Sequence, residues 1–286
     1  RLFWSISEKE VEKVSKKRNA SLRLGQYYPS DSFIHSLDPR TKLTGILLYI
    51  IAVLFANSFT MFAVLYAFSI IVIGLSRVPV SMMLRSIRFI IILSVITGVL
   101  NAFFFMGETV LWSSPGGLFQ ITAEGLYQAG IIILRLIALV GFASVLTLTT
   151  SPISLTDGLE KMLDPLKRFH CPVHEFAMMM SISLRFIPIL MDETDKIIKA
   201  QTARGADFKN GSLSDRLRCI VAMIIPLFIS ALKRAEDLAV AMEARGYQGG
   251  EGRTRLKELH WRGRDTVSVG ISLAILLSML FMRYYR

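Results

Sequence analysis

The sequence predicts an all-α membrane protein of about five transmembrane helices, and three observations predict it. Hydrophobic residues make up 52% of the 286-residue chain and mean hydropathy is +0.49, while charged residues, at 19%, fall below the ~25% of a soluble domain. The apolar residues are gathered into runs close to the ~20 residues that cross a hydrocarbon layer. Lys and Arg are shared unevenly among the segments joining those runs, the signature of a multispan chain with a fixed sidedness. Helices are the form expected, because each satisfies its own backbone hydrogen bonds in lipid.

Residues 1–42 hold nine Lys or Arg and no long apolar run, which predicts a cytoplasmic arm with one short helix near Lys9 to Arg18. The first twenty residues lack the apolar core and small-residue cleavage site of a signal peptide. At the arm's end, Asp38 suits an N-cap and Pro39 the first helical position. The first span follows, Leu43 to Asn57, and after a break at Asn57-Ser58 a second covers Phe59 to Ser76. The connection Arg77 to Arg88 carries three arginines, and Pro79 opens an amphipathic approach to the third span, Phe89 to Met106. The next loop, Gly107 to Thr122, has no Lys or Arg. By the positive-inside rule the Arg77 loop and the N-terminus are inside and the Gly107 loop outside. A fourth span, Leu126 to Leu148, returns to the cytoplasm. Residues 151–264 then carry eighteen of the thirty-three Lys and Arg, and the last span, Val267 to Met282, leaves the C-terminus outside. The expected organisation is an arm (1–42), four spans (43–150), a cytoplasmic coupling region of long, partly interfacial helices (151–264) and a final span (265–286).

Two apolar runs inside the coupling region, Phe176 to Met191 and Cys219 to Leu232, are short for spans. Their length favours helices lying along the inner face; the alternative is a hairpin through the membrane with the same end topology. The formal charge of +11 fits cytoplasmic segments facing anionic headgroups rather than nucleic acid. The two cysteines, Cys171 and Cys219, both fall in the coupling region, so no disulfide framework is indicated.

Signatures of catalysis are not found. There is no Gly-rich phosphate loop ending in Lys-Ser or Lys-Thr, so the chain is not expected to hydrolyse ATP, and Gly249-Gly250-Glu251-Gly252 reads as a linker. No nucleophile elbow, helical zinc motif or CxxC pair is present. His170-Cys171-Pro172-Val173-His174 gathers possible ligands, but Pro172 breaks the helical face that would align them, and no metal site is assigned. Arg135 is the one charge deep in a span, where it costs at least ~2.5 kcal/mol. Its candidate partners are Gln128, Asn101, a second protein or backbone carbonyls of the bundle; it would line the path if the chain were a self-contained permease or channel.

The tripeptide Ala-Arg-Gly occurs twice, at Ala203-Arg204-Gly205 and Ala244-Arg245-Gly246, 41 residues apart, each time ending a charged helix that follows a Pro-bearing apolar run. In the first copy Asp192 with Lys196 and Asp195 with Lys199 are spaced for i,i+4 pairs. Glycine suits the left-handed residue that ends a helix, and Arg before it complements the negative end of the dipole. A doubled end also suggests two like partners, each offering a carboxylate to the Arg fork.

Together with Leu37-Asp38-Pro39-Arg40-Thr41-Lys42-Leu43 and Ser183-Leu184-Arg185-Phe186-Ile187-Pro188, the two Ala-Arg-Gly motifs resemble, in order and spacing, the transmembrane T component (EcfT/CbiQ-like family) of energy-coupling factor (ECF) transporters. The resemblance covers nearly everything after residue 30. It implies a non-catalytic scaffold in the cell membrane that bridges two ATPase subunits, which bind the ATP and Mg2+, to a membrane-embedded substrate-binding S component. It implies that Ala203, Arg204 and Gly205 dock on one ATPase and Ala244, Arg245 and Gly246 on the other. It also implies that apolar residues such as Met178, Met179, Phe186, Met223 and Phe228 face the S component, whose cargo would be a vitamin or a transition-metal ion.

Overall fold

The computed structural model describes residues 27–105, 107, 109–113, 120–169, 172–206, 212–249 and 260–285. The predicted arm helix near Lys9 to Arg18, the His170-Cys171 pair and most of the glycine-rich linker lie outside the described residues. The chain divides into two compact units, one formed by Gly25–Met162 with Glu258–Arg286 and the other by Leu163–Lys257.

In the first unit, helix α1 (Pro39–Phe55) starts as the sequence predicts: the Asp38 carboxylate accepts the Arg40 N–H at 2.9 Å and Pro39 fills the first turn. The break at Asn57 is equally local, because Ser58 caps α2 (Phe59–Ser76) by accepting the Met61 N–H. Helix α3 (Val80–Phe104) begins directly after Pro79 and runs unbroken through the expected amphipathic approach. The following loop is not wholly irregular. Strands β1 (Val110–Ser113) and β2 (Gln120–Thr122) pair antiparallel, a small hairpin that the all-helical expectation did not contain. Thr122 then caps α4 (Ala123–Thr149). A shorter α5 (Pro152–Leu163) follows, and the unit ends with α8 (Gly263–Tyr284).

Contacts along these helices fix their directions. Lys42 meets Thr149, Tyr49 stacks on Phe142 and Arg135 reaches Ala56, so residue numbers fall along α4 as they rise along α1, and the two are antiparallel. Asp265 meets Asp38 at one end of α8 and Arg283 lies over the Phe55 ring at the other, so α1 and α8 are parallel. The first and last helices therefore cross in the same sense.

The core of this unit gathers Tyr49, Val53, Phe62, Leu65, Ile131 and Met279, all 2% exposed or less. Tyr49 and Phe142 stack with centroids 3.9 Å apart. Three hydroxyls drawn into the core are partnered, as burial favours: Tyr49 and Ser69 share a 2.8 Å hydrogen bond and Tyr66 donates to the Leu134 carbonyl at 2.9 Å. Gly158 allows α5 to lie on the start of α1, since a Cβ there would stand 2.8 Å from the Pro39 side chain. The outward faces are apolar too, with Ile70, Phe89 and Ile92 more than half exposed, as expected of helices whose solvent is lipid.

Among the described residues, five helices are long and apolar enough, by length and composition, to cross a membrane: α2, the Ile87–Phe104 part of α3, α4, α8 and α6 (Val173–Ala203). Four of these coincide with predicted spans. The predicted first span is the 17-residue α1, about 26 Å long at 1.5 Å per residue. The run expected as a short helix from Phe176 to Met191 is instead the first half of α6, a 31-residue helix that passes Pro188 without ending.

The second unit is built from α6 and α7 (Leu213–Ala244), the latter also continuous through its proline, Pro226. Arg234 Nη2 donates to Glu193 Oε2 at 3.4 Å and Gln201 Nε2 to the Ala222 carbonyl at 3.4 Å. Late residues of α6 thus face early residues of α7, and the helices are antiparallel. Only Val173 and Ala177 of α6 are buried, and no described residue of α7 is.

Candidate functional site

Both Ala-Arg-Gly ends close with the same backbone geometry. In the first, Ala203 is the last residue of α6, Arg204 is its C-cap, and Gly205 is left-handed at φ +91°. The Ala206 N–H donates to the Gln201 carbonyl and the Gly205 N–H to the Thr202 carbonyl, both at 3.0 Å. In the second, Gly246 stands at φ +68°, the Tyr247 N–H donates to the Met242 carbonyl at 3.0 Å and the Gly246 N–H to the Glu243 carbonyl at 2.9 Å. This crossed pair of bonds is the Schellman arrangement, which satisfies carbonyls a helix end would otherwise leave open. A side chain at the left-handed residue would cost roughly 1–2 kcal/mol, so glycine is required twice for one reason. The consequence is positional: the chain turns away immediately after each arginine, and Arg204 and Arg245 are both exposed at a helix tip.

Antiparallel packing then separates the tips. Arg245 lines a polar cleft of about 560 Å³ with Met178, Ser181 and Arg185 near the start of α6, whereas Arg204 stands at that helix's far end. Twenty-three residues of helix between Ser181 and Arg204 make the separation roughly 35 Å. The two arginines cannot serve one small ligand, and their spacing suits two macromolecular contacts.

The predicted i,i+4 pairs, Asp192 with Lys196 and Asp195 with Lys199, do not form; all four side chains are exposed, where such pairs contribute ~0–1 kcal/mol and entropy competes. The acid that pairs is Glu193, across to Arg234 of α7. Beside that bridge an apolar cleft of about 410 Å³ lies between the helices, lined by Phe186, Leu190, Ala231, Leu238 and Met242 among others.

The five apolar residues singled out in the sequence do not share one environment. Met179 and Phe228 are exposed at 50% and 61%. Phe186 faces the apolar cleft, Met178 the cleft beside Arg245, and Met223 is half-buried. Phe176, Met180, Ile224 and Ile225, in the same two apolar runs, are each about half exposed or more.

Arg135 is placed among the alternatives with which the sequence left it. Its Nη2 donates to the Ala56 carbonyl at 2.9 Å and to Asn57 Oδ1 at 3.1 Å; Gln128 and Asn101 are not its partners. It caps the C-terminal end of α1, where a cation also complements the dipole.

The Leu37 to Leu43 segment holds a constellation whose long-range half sequence reasoning missed. Asp265, 2% exposed, accepts from the Asp38 N–H at 2.9 Å, the Thr41 hydroxyl at 3.1 Å and the Arg262 N–H at 2.9 Å. Lys42 Nζ donates to the Thr149 carbonyl at 3.0 Å and the His35 carbonyl at 3.4 Å. The motif therefore ties the first turn of α1 to the end of α4 and the start of α8. Neighbouring His35 is held by Ser32 and the Tyr28 carbonyl. Burial, helped by Lys42 and opposed by the Tyr28 bond and Asp31, lowers its pKa below the usual histidine value. Among the described residues no cluster of His, Cys, Asp and Glu is arranged to hold a metal ion.

Comparison with known proteins follows the same residues. The cobalt transport protein family, CbiQ, matches residues 30–256. The energy-coupling factor transporter transmembrane protein EcfT of Listeria innocua is 50% identical over 258 residues, which cover 90% of this chain and 96% of the relative. The protein of the same description from Bacillus subtilis is 49% identical over 261 residues (91% and 97%), and that of Streptococcus thermophilus 44% over 262 residues (92% and 98%).

Proposed function

This chain belongs to the EcfT/CbiQ family of transmembrane components of energy-coupling factor transporters, and on that premise we propose that it is the coupling scaffold of an ATP-driven importer. It is a multi-pass membrane protein. In this reading it catalyses nothing itself. Two ATPase subunits bind ATP and Mg2+ and dock on the cytoplasmic side, one at Ala203, Arg204 and Gly205 and the other at Ala244, Arg245 and Gly246. Closure of the ATPase pair moves the two helix tips, and α6 and α7 pass that motion to a membrane-embedded S component carrying a vitamin or a transition-metal ion. Met178, Met179, Phe186, Met223 and Phe228 contribute to the surface that meets it.

The observation that carries the reading is the repetition of one exposed arginine tip, with the same crossed hydrogen bonds, at opposite ends of an antiparallel pair. Rigid helices with satisfied ends transmit displacement rather than absorb it. The exposed apolar side chains of α6 and α7 support a partner-binding role, because contiguous apolar surface of this kind marks interaction or lipid contact. The coupling reading is preferred to a self-contained permease with Arg135 lining the path, because Arg135 Nη2 bonds the Ala56 carbonyl and Asn57 at the end of α1.

The test is the double variant Arg204→Glu/Arg245→Glu, expressed with its ATPases. Expected are normal membrane insertion, loss of ATPase co-purification and loss of ATP-driven uptake, since like charges replace a charge-assisted pair at both tips. Full uptake by that variant would refute the assignment.

A further inference from the structure

The first unit has a feature that coupling does not use. An apolar slot of about 360 Å³ lies between α1, α2, α4 and α8, lined by Leu37, Ile46, Phe68, Leu75, Phe142 and Ile271 among others. Beside it is a polar basin of about 810 Å³ containing Ser30, Asp31, His35, Arg77 and Arg264. Phe33 and Leu75 line both, so the basin is the mouth of the slot. We propose that the slot and basin form a binding site for one anionic phospholipid, its phosphate held between Arg77 and Arg264 and one acyl chain lodged in the slot.

Length, charge and available donors support this occupant. Along α2 the slot runs from Phe68 to Leu75, roughly 10 Å of helix, within the ~15 Å of one leaflet of a ~30 Å hydrocarbon core. It suits a chain that enters from one face and stops short of the midplane, not a helix that crosses. The mouth lies where α2 ends and α8 begins, on the side that the Lys and Arg distribution makes cytoplasmic. Arg264 makes no side-chain hydrogen bond or ion pair among the described residues, and Arg77 has only a 3.5 Å contact with the Asp31 carbonyl. The Asp31 carboxylate lines the same basin and offsets one charge, leaving the two arginines dominant. Lys42 and His35 are already engaged, by the Thr149 carbonyl and by Ser32 with the Tyr28 carbonyl, so the two arginines are the cationic donors left for a phosphate, with the Tyr27 hydroxyl beside them in the lining.

Native mass spectrometry of the full chain in detergent, titrated with phosphatidylglycerol or phosphatidylcholine of identical acyl chains, tests the site. Two basic residues at a surface, one offset by an acid, should favour phosphatidylglycerol by about fivefold. Arg77→Gln/Arg264→Gln should erase that preference, while Arg77→Lys/Arg264→Lys should keep it, separating charge from folding. Ile71→Trp, at a slot residue 60% exposed, should lose adducts of both lipids. The proposal is overturned by equal retention of the two lipids or by an unchanged preference in the glutamine variant. Displacement of the adduct by inorganic phosphate would assign the basin to a free anion. Loss of the adduct in the assembled transporter would give the slot to a partner's helix, and either result would also overturn it.

Discussion

The two units of this chain use the same building material to opposite ends. In the first, apolar side chains of α1, α2, α4 and α8 close on one another until Tyr49, Val53, Phe62 and Met279 are 2% exposed or less, and polar ends are tied by Asp265, Lys42 and Arg135. In the second, α6 and α7 are longer, at 31 and 32 residues, yet almost nothing on them is buried. They meet through a part-exposed ion pair, a long hydrogen bond and loosely filled clefts. In lipid the hydrophobic effect does not press helices together, and close packing with interhelical hydrogen bonds holds them instead, so the first unit is held by its own contacts, while the second leaves most of its surface uncovered. A closely packed frame and an open pair of long helices are what the comparison teaches.

That contrast can be broken by mutation, and the largest effect should come from inverting the charge at both arginine tips. Arg204→Glu/Arg245→Glu is expected to abolish uptake while leaving the melting temperature of the isolated chain in detergent unchanged; a large fall in that temperature would erase the distinction. In the frame, Asp265→Ala should do the reverse. Removing a buried carboxylate that serves two backbone N–H groups and a hydroxyl beside Lys42 should cost roughly 3–5 kcal/mol, read as a fall in detergent thermal stability. A smaller loss of stability is expected from Arg135→Met, about 1–3 kcal/mol for a carbonyl left unpaired at the end of α1, with uptake per folded molecule intact. Gly246→Ala should cost about 1–2 kcal/mol at the second tip and weaken ATPase co-purification without displacing the frame.

The smallest effect concerns His35. Burial lowers its folded pKa, so the unfolded chain takes up a proton first as pH falls below the ordinary histidine value near 6.5. Stability from this group is therefore complete above that pH and is lost progressively as pH drops toward the depressed folded value. Thermal melts at pH 7.5 and 5.5 should show a larger acid-induced loss in the wild type than in His35→Gln.

Local chemistry was legible in the chain. Asp38 and Pro39 announce the start of α1, Asn57-Ser58 announces its separation from α2, and Gly205 and Gly246 announce the two helix ends, because a cap depends on residues within one turn of itself. The continuity of α6 was less legible, since the apolar run to Met191 and the charged helix after it read as two segments, whereas the backbone is one helix from Val173 to Ala203. The hairpin at Val110 was missed because three- and four-residue strands carry too little periodicity to register.

The sequence by itself determined that this is a membrane protein of the all-α class with two identical arginine-tipped helix ends, because composition, hydropathy runs and cap chemistry are properties of neighbours along the chain. Only the tertiary structure decided that Asp265 answers Asp38 across 227 positions, that Arg135 serves the end of α1, and that antiparallel packing sends Arg204 and Arg245 to opposite ends of their pair. Those facts depend on which surfaces meet, and meeting is set by packing and register between segments, which no local pattern in the chain encodes.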